Sequence, residues 1–352
     1  MVRKILKIFP LFFVLMFTSS VLNFLSSKTK FQEKKNTTLV KPPFGHVPIT
    51  KATKTHLYIY MGNKVKFDNP QGMAVTRLKS WDDTTTTDDD VIVTVYGVNS
   101  GQNLILYNTS LYTLGVYGLA EKGKEMLSNP KGIAADESGN VYVADTGNRR
   151  IAHLYNSGKS LIYKGEIGSG KLKNPQQVAI DKDGNIYVTD SELNEVIKFS
   201  QNGELLFSFN NGNELVFPDG IIIFDSRDKW YYYRENCFII IDKNNKRIQK
   251  FNGNWKLQKK IEGKDFGYPD CFLAYGAGDY YGNIYITDMK NNTIHKFDKN
   301  LNYITSFGKR GKGSGEFIEP RGICIWKRFG QVFIAEKEGA QYFCCLLYTS
   351  DA

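Results

Sequence analysis

The sequence predicts an all-β protein, a six-bladed β-propeller whose sheets surround one axis. A proline-led repeat recurs with a period of roughly 40 to 50 residues, which suits propeller blades better than independent domains. Each repeat holds an apolar run, a glycine turn and a second run that ends in an acidic or polar residue. Aromatic residues make up 14% of the chain and suit pleated, half-buried strands. The repeats open at Pro70, Pro130, Pro175, Pro218, Pro269 and Pro320.

Each opening proline is predicted to start the innermost strand of its blade, because its ring fixes φ and it lacks an N–H. A glycine turn such as the one at residues 183–185 then reverses the chain into a β-hairpin. The second strand ends in an acid with an Asn three residues later, as in Asp145 with Asn148 and Asp288 with Asn291. Such acids accept hydrogen bonds from turn N–H groups, so we predict that they organise turns and do not catalyse.

Two repeats show the pattern most clearly, at residues 129–136 with 139–145 and at residues 174–181 with 184–190. Their order of Pro-x-Gly-Ile/Val-Ala, Gly-Asn-Val-Tyr-Val-x-Asp and Asn-x-x-Ile resembles that of NHL repeats, which build β-propellers. The fourth repeat departs from it by nine extra residues before its acid, and the sixth has Glu where Asp is usual. The resemblance spans about residues 55–344 and implies a propeller of this type.

Closure of the ring is predicted from a second similarity within the chain. Residues 58–62 resemble residues 161–165, and each run precedes a Lys-x-x-Asn-Pro segment. Residues 58–62 are therefore predicted to form an outer strand that has no inner strands before it. This strand can complete the last blade, whose inner strands come from residues 321–344, and closure hides edges that an open sheet would expose.

Residues 1–27 are predicted to be a signal peptide or, if uncleaved, an anchor helix. Basic residues precede an apolar stretch, and small residues at 18–20 offer a cleavage site. The segment between Lys7 and Lys28 has roughly 20 residues and would just cross a bilayer. Both alternatives place the rest of the chain in the secretory lumen or outside the cell. Residues 28–54 are predicted to be a basic linker with prolines, 55–344 the propeller, and 345–352 a scar that resembles a translated sequencing adapter.

The charge of the chain is concentrated in its N-terminal tail. Of the +10 total, residues 1–50 carry eight basic residues and one acid, which leaves 38 basic and 35 acidic residues, or +3, for the remainder. A nearly balanced body disfavours a nucleic-acid partner, which would need a basic face. RNA binding, known for some intracellular NHL proteins, is therefore kept only as a third hypothesis.

Several smaller features complete these predictions. Asn-x-Ser/Thr triplets predict glycosylation at Asn36, Asn108 and Asn291.

Five acids within residues 81–90 are interpreted as a solvated tip of the first blade, with a calcium site as the alternative. The cysteines show no disulfide or zinc spacing, so buried free thiols are expected.

A site is predicted at the mouth of the central channel. The residue after each opening proline should approach the axis, so repeated geometry would bring six side chains together. We call this predicted set the axial ring: Gln71, Lys131, Gln176, Asp219, Asp270 and Arg321.

The resemblance also implies two enzyme alternatives. Peptide-amidating lyases of this kind hold zinc with histidines at the post-proline position, but none of the six positions here is His, and catalytic zinc needs about three protein ligands. A calcium-dependent lactonase would need carboxylates and Asn at the channel, which Asp219 and Asp270 match in part. No metal is therefore expected at the ring, and any metal there, calcium first, would be bound by these two acids.

A binding module is the leading hypothesis. It is an exported, monomeric propeller that binds protein, peptide or glycan with one face, with a membrane contact only through an uncleaved N-terminal segment. A lyase or hydrolase that uses the axial ring is the alternative, and fold resemblance alone does not decide between them.

Overall fold

The computed structural model describes residues 39–40, 51–81, 93–108, 113–212 and 214–345. Its strands form six sheets; five are built from consecutive strands of the chain, and the sixth joins strands from the two ends of the described residues. Among the helices in these ranges, none is both long and apolar enough to span a membrane. The predicted signal or anchor helix (1–27), the site at Asn36, most of the acidic insertion and residues 346–352 of the predicted scar lie outside the described residues.

Five four-stranded blades and a five-stranded last blade, which N-terminal strands complete, follow one another along the chain. Among the described residues one α-helix, α1 (Lys54–Met61), precedes the first blade. The strands of the N-terminal segment and of blades 1 to 3 are β1 (Leu39–Val40), β2 (Lys51–Ala52), β3 (Pro70–Thr76), β4 (Thr94–Asn99), β5 (Leu104–Asn108), β6 (Leu114–Tyr117), β7 (Pro130–Ala135), β8 (Asn140–Asp145), β9 (Arg150–Asn156), β10 (Leu161–Ile167), β11 (Pro175–Ile180), β12 (Ile186–Asp190), β13 (Glu195–Phe199) and β14 (Leu205–Phe209). Blades 4 to 6 contain β15 (Pro218–Phe224), β16 (Cys237–Asp242), β17 (Arg247–Asn252), β18 (Leu257–Glu262), β19 (Leu273–Gly278), β20 (Ile284–Asp288), β21 (Thr293–Phe297), β22 (Tyr303–Phe307), β23 (Ile323–Trp326), β24 (Gln331–Glu336) and β25 (Gly339–Cys345).

Glycines allow the innermost strands to approach one another closely around the axis. A Cβ on Gly72 would lie 2.6 Å from the carbonyl oxygen of Lys131, and one on Gly132 would lie 2.5 Å from the Cα of Gln177. A Cβ on Gly322 in the last blade would collide with the backbone of Gln71 in the first. The ring is therefore closed, as predicted, and these positions need glycine because a neighbouring backbone fills the space.

The hydrophobic core lies between neighbouring blades rather than in one central layer. Buried residues of blades 1 and 2 form one cluster around Tyr96 and Val141, and blades 4 and 5 form another around Ile239 and Ile286. Equivalent clusters join blades 2 and 3, 3 and 4, and 5 and 6. Each of blades 2 to 5 thus buries the apolar faces of its sheet against both of its neighbours.

The last blade is completed by an N-terminal strand, but the predicted residues were wrong. The pairing strand is β2, with Lys51 opposite Gln341 and Ala52 opposite Ala340, and β1 pairs further along β25. These strands fall in the predicted linker (28–54). The Lys51 ammonium lies 2.8 Å from the carboxylate of Glu336 at the end of β24, which fixes this part of the chain on the last blade.

Residues 58–62, predicted as the closing strand, belong instead to α1 and the turn after it. Thr53 precedes the helix, and its N–H donates to Nδ1 of His56 at 3.1 Å, which stabilises the first turn. Leu57 of α1 packs with Val65 and Leu104, so this helix covers the side of the first blade. The alternation of Tyr and Ile suggested a strand, but tertiary packing and the cap decide for a helix.

The acids at the ends of the second strands organise turns, as predicted. Asp145 accepts a hydrogen bond from the Ser128 N–H at 2.7 Å, just before the opening proline of the same blade. Asp242 does the same for Val216 at 2.9 Å. Glu336, the departure from the repeat pattern, holds the Ile318 N–H at 2.7 Å. Each acid therefore ties the opening loop of a blade to its second strand.

Candidate functional site

The opening prolines begin the innermost strand in blades 1 to 4, and Pro320 lies three residues before β23 in blade 6. Blade 5 is the exception. Leu273, not Pro269, pairs with the strand-end acid Asp288, as Pro130 pairs with Asp145 in blade 2. Asp270 therefore lies in the opening loop, and Ala274 takes the axial position predicted for it.

Asp270 does not join the other predicted ring residues. Its side chain is 71% exposed, and its carboxylate lies 3.3 Å from the Lys246 ammonium and 3.6 Å from that of Lys290. These exposed ion pairs lower the pKa of Asp270, with the Lys246 hydrogen bond as the main cause. The Asp219 side chain is instead 6% exposed, so the two acids that the calcium alternative would use are not brought together.

The structure brings the other five predicted residues together and adds two that the sequence did not indicate. We call this set the axial cluster. It consists of Gln71, Lys131, Gln176, Asp219, Lys243, Tyr275 and Arg321.

One half of the axial cluster joins blades 2, 3 and 4. The Lys131 ammonium donates to Oε1 of Gln176 at 2.7 Å, and Nε2 of Gln176 donates to Oγ of Ser191 at 3.0 Å. The Lys243 ammonium lies 2.7 Å from the buried Asp219 carboxylate. Burial lowers the pKa of Lys131; Asp219 opposes this shift and Lys243 adds to it.

The other half joins blades 5, 6 and 1. The Tyr275 hydroxyl donates to Oε1 of Gln71 at 3.3 Å, and the Arg321 guanidinium donates to Oδ1 of Asn69 and to Glu319 at 3.2 Å. Blade 6 lies between blades 5 and 1, so the contact between Tyr275 and Gln71 is possible only near the axis. Burial raises the pKa of Tyr275 well above its ordinary value of 10.

The axial cluster therefore connects blades and leaves few groups for chemistry. Thr189 and Thr287 donate to the backbone carbonyls of Asp219 and Arg321 at 2.9 and 2.8 Å, which ties each blade to the next at the same level. Asp219 is buried against a lysine, which does not fit a calcium site that requires free carboxylate oxygens. Within the described ranges, no group of three or more His, Cys, Asp and Glu side chains is placed to hold a metal.

The described histidines lie away from the channel mouth. His153 and His295 sit on third strands, as predicted. His153 stacks on Tyr142 with ring centroids 4.6 Å apart, and burial lowers the pKa of its imidazole. His295 bonds Asp288 at 3.1 Å and Ser306 at 2.6 Å. Both rings have structural partners within their own blades.

A groove of about 670 Å³ lies between blades 1 and 2 on the side of the opening loops, and Arg150 lines it. Its guanidinium bonds Asp145 at 2.8 Å, Glu166 at 2.6 Å and the carbonyl oxygens of Lys124 and Met126 at 2.7 and 3.0 Å. Since these partners occupy its donors, Arg150 supports the groove and is not free for a ligand.

The opposite end of the channel differs, because the first hairpin of blade 4 is unusually long. Its turn, residues 225–236, crosses towards blades 3, 5 and 6. The Asp228 carboxylate lies 2.9 Å from Lys327 of blade 6 and 3.8 Å from Lys182 of blade 3, and the Tyr232 N–H donates to the Tyr280 carbonyl of blade 5 at 2.9 Å. The buried Tyr231 packs on Phe224 below, with ring centroids 4.8 Å apart. Four blades thus hold this turn in place.

The turn presents exposed aromatic side chains to solvent. Tyr232 is 58% exposed, Tyr233 is 40% exposed, and Phe329 from the equivalent turn of blade 6 is 38% exposed. Tyr232 lies about 6.1 Å, between ring centroids, from each of Tyr280 and Tyr281 of blade 5. We call this surface the aromatic face: Trp230, Tyr232, Tyr233, Tyr280, Tyr281 and Phe329.

Cations lie among these rings. The Lys299 ammonium is 3.5 Å from the centre of the Tyr233 ring, and the Lys229 ammonium is 5.5 Å from that of Trp230. The Arg328 guanidinium lies 4.9 Å from Phe329 and 5.5 Å from Trp230. Such contacts orient the cations over the ring faces.

Sequence reasoning noticed the length of this hairpin but assigned it no role. The available signal was the nine-residue excess of the fourth repeat, which contains the run from Trp230 to Tyr233. Tyr280 and Tyr281 stand in the corresponding turn of the next repeat, and Phe329 in that of the last. Comparing these turns with each other would have placed the aromatic residues on one side of the ring.

Two parts of the chain match known families. Residues 127–154 match the NHL repeat, and residues 277–342 match a family described as 6-bladed beta-propeller. The six closed sheets agree with both matches. The chain is a six-bladed NHL-repeat propeller. None of the curated proteins matches it in sequence.

Solved structures with the same architecture include a lyase, a gluconolactonase and a nidogen/laminin complex. A virginiamycin B lyase from Staphylococcus aureus is 14% identical, with 77% of this chain and 80% of that one covered and a TM-score of 0.52. A gluconolactonase from Xanthomonas campestris is 14% identical over 87% and 99% of the two chains, with a TM-score of 0.54. A chain of a nidogen/laminin complex is 19% identical over 68% and 80%, with a TM-score of 0.51. At these identities the likeness shows the propeller fold alone.

The two glycosylation positions within the described residues of the propeller are engaged internally. The Asn108 side chain accepts from the Val95 N–H at 2.7 Å and donates to the Val93 carbonyl at 2.9 Å. Nδ2 of Asn291, the atom that a glycan would modify, donates to Asp288 at 2.7 Å. The structure therefore does not support glycosylation at these positions, because Nδ2 of each residue already donates a hydrogen bond inside the protein.

Proposed function

We propose that this NHL-repeat propeller is a binding module for a protein, peptide or glycan, and that the ligand lies on the aromatic face. The observation that carries the proposal is the contrast between the two ends of the channel. At the opening-loop end, buried and half-buried polar side chains bond each other across blades. At the other end, exposed rings and cations stand on turns that four blades hold rigid.

The composition of the aromatic face supports binding. Tyr, Trp, Phe and Arg are enriched at the centres of protein interfaces. Large exposed aromatic side chains that are fixed before binding lose little conformational entropy when a ligand covers them. Tyr232 and Tyr233 meet this description, since the backbone of Tyr232 is bonded to Tyr280 and the Tyr233 ring lies under Lys299.

An enzyme remains the alternative, and the names of the lyase and gluconolactonase neighbours fit it. In this chain such a site would use the axial cluster, with Asp219 as its carboxylate. Metal analysis of the purified protein tests this alternative against the binding module. Stoichiometric metal that is lost in an Asp219→Ala variant, but not in an Asp270→Ala variant, would favour the enzyme.

Export of the chain, with or without a membrane tether, remains part of the proposal. It is supported by the basic and apolar pattern of residues 1–27. A propeller delivered outside the cytosol, as a monomer, would meet extracellular proteins, peptides or glycans. Expression with a C-terminal tag, followed by fractionation and N-terminal sequencing, distinguishes a cleaved signal from an anchor.

Peptide and glycan arrays test the proposed binding surface. The full chain is compared with a Tyr232→Ala/Tyr233→Ala variant and with a Tyr58→Ala/Tyr60→Ala control. The control removes two tyrosines of α1 that are 55% and 50% exposed. This helix packs against blade 1, whereas the aromatic face belongs to blades 4, 5 and 6. We expect bound probes to be lost only in the first variant. Binding that survives there but disappears on Lys131→Ala would place the ligand at the axial cluster and overturn the proposal.

A further inference from the structure

We propose that the partner of the aromatic face is an acidic polypeptide segment, whose carboxylates pair with Lys229 and Lys299 while its apolar side chains pack between the tyrosines. This inference rests on the proposed function and deepens it. Its first support is the distribution of charges around the long turn of blade 4.

Two groups of cations around this turn can be distinguished by their partners. Arg227, Lys182 and Lys327 bond acids of the protein itself: Arg227 bonds Asp183 and Asp225, and both lysines face Asp228. These pairs anchor the turn. Lys229 and Lys299 lie over aromatic rings, and neither forms an ion pair with any acid in the described ranges. Their charges are therefore available to an anionic partner.

Pre-positioned cations make this surface selective for negative charge. An ammonium held over a ring is already partly desolvated and is fixed in direction, so a carboxylate that meets it gains more than it would from a mobile surface lysine. Opposite charge also speeds encounter, whereas a basic partner would be repelled. The face therefore favours an acidic ligand over a neutral one of the same shape.

The arrangement of the rings favours a polypeptide over stacked bases or sugars. Tyr232 and Tyr233 are 86° apart and Tyr280 and Tyr281 are 87° apart between ring planes. Tyr232 is also tilted by 61° from Tyr280. Nucleic-acid binders use rings on which successive flat bases stack, and these perpendicular rings do not form such a platform. They form ridges and clefts into which side chains of different shapes can pack.

The test measures binding of defined peptides to the full chain by fluorescence anisotropy. The acidic probe alternates Glu with Leu and Ser, and a matched probe replaces every Glu by Gln. We expect the acidic probe to bind about tenfold more tightly than its Gln copy at about 50 mM salt, and this advantage to shrink at about 300 mM salt, since screening weakens exposed charge pairs.

Variants connect this selectivity to the two lysines. Lys229→Gln/Lys299→Gln is expected to weaken the acidic probe about fivefold, as expected for losing two surface charge pairs, and to leave the Gln probe unchanged. The control Lys54→Gln/Lys312→Gln removes lysines that are 64% and 78% exposed elsewhere and should change neither. Tyr232→Ala/Tyr233→Ala should abolish binding of both probes.

Each other outcome overturns the inference in a distinct way. If the two peptides bind equally and both lose binding in the tyrosine variant, the inference that the partner is acidic is refuted, while the proposed function stands. Tighter binding of oligo(dT) or of a polyuronate than of the acidic peptide would assign the face to nucleic acid or to glycan. Self-association that is lost in the tyrosine variant would make the occupant a second copy of this chain. Failure of all these probes, together with empty arrays, would refute both proposals.

Discussion

Replacement of Lys51 by Met tests how the ring is closed. The Lys51 ammonium lies 2.8 Å from the Glu336 carboxylate, whose side chain is 2% exposed, while that of Lys51 is 18% exposed. Lys51→Met removes the cation and leaves the carboxylate buried. Removing one partner of a buried ion pair costs about 3 to 5 kcal/mol. Glu336 keeps hydrogen bonds from Ile318 at 2.7 Å and from Gln341 at 3.1 Å, so we expect the lower end, about 3 kcal/mol.

The assay is urea-induced unfolding monitored by circular dichroism. The slope of unfolding free energy against urea concentration is held common to all variants. A loss of about 3 kcal/mol corresponds to a midpoint lower by about 1 M when the slope is about 3 kcal/mol per M. The control Lys54→Met removes a pair with Glu338 at 3.9 Å, in which the side chains are 64% and 39% exposed. It should cost less than about 1 kcal/mol.

A second substitution checks the cause of the loss. In Lys51→Met/Glu336→Gln the buried charge is gone and the amide oxygen still accepts from the Ile318 N–H, but the amide nitrogen does not accept from Gln341. About 1 to 2 kcal/mol of the loss should therefore be recovered. The reasoning is refuted if Lys51→Met costs no more than Lys54→Met, or if Glu336→Gln makes the loss larger. Either result would mean that β2 does not hold the last blade through this pair.

Three further predictions concern the channel, the cysteines and the long turn. Tyr275 lies on the innermost strand of blade 5 and is 5% exposed. Tyr275→Ala should therefore lower the free energy of unfolding by about 3 to 5 kcal/mol and Tyr275→Phe by less than about 1 kcal/mol. Equal losses in urea unfolding would contradict a packing role. Burial raises the pKa of Cys237 to about 11 and that of Cys271 to about 12, and it raises the pKa of Cys324 further. At pH 8 these three thiols are therefore protonated and unreactive. Mass spectrometry should find them unlabelled by a thiol reagent until the protein unfolds. Burial opposes ionisation of Asp228, but Lys327, Lys182 and the Trp230 N–H together lower the pKa of the carboxyl below its usual 3.8. Its stabilising effect is therefore present above about pH 4 and lost as the pH falls towards the folded-state pKa. A stability curve below pH 4 that is no flatter in Asp228→Asn would contradict this.

Much of the fold could be predicted because each blade repeats the same local chemistry. The opening proline, the glycine turn and the strand-end acid lie close to each other in the chain, so one sequence shows them all. Their spacing would also have corrected the error in blade 5. The interval from Pro130 to Asp145 equals that from Pro175 to Asp190, and the same interval counted back from Asp288 reaches Leu273, not Pro269.

The features that the sequence did not predict depend on contacts between distant parts of the chain. The closing strand lies at Lys51 because that residue can reach Glu336, a pairing across nearly the whole sequence. The resemblance of residues 58–62 to residues 161–165 predicted a different closing strand, because a local similarity carries no information on partners that are distant in sequence. The axial positions could be predicted, but not that Lys243 would neutralise Asp219. The aromatic face required knowledge of which turns meet in space.

The pairing of β2 with β25 has a consequence for how the protein is made. Apart from the pairings of β1 and β2 with β25, the strand pairings in the described residues join segments that are close in sequence, so blades 1 to 5 can form one after another as the chain leaves the ribosome. The N-terminal strand has no partner until β25 emerges from the far end of the propeller. During that interval its edge is open to other chains. Ribosome stalling before residue 339 should therefore yield nascent chains that are rich in structure yet prone to aggregate, whereas release after residue 345 should not.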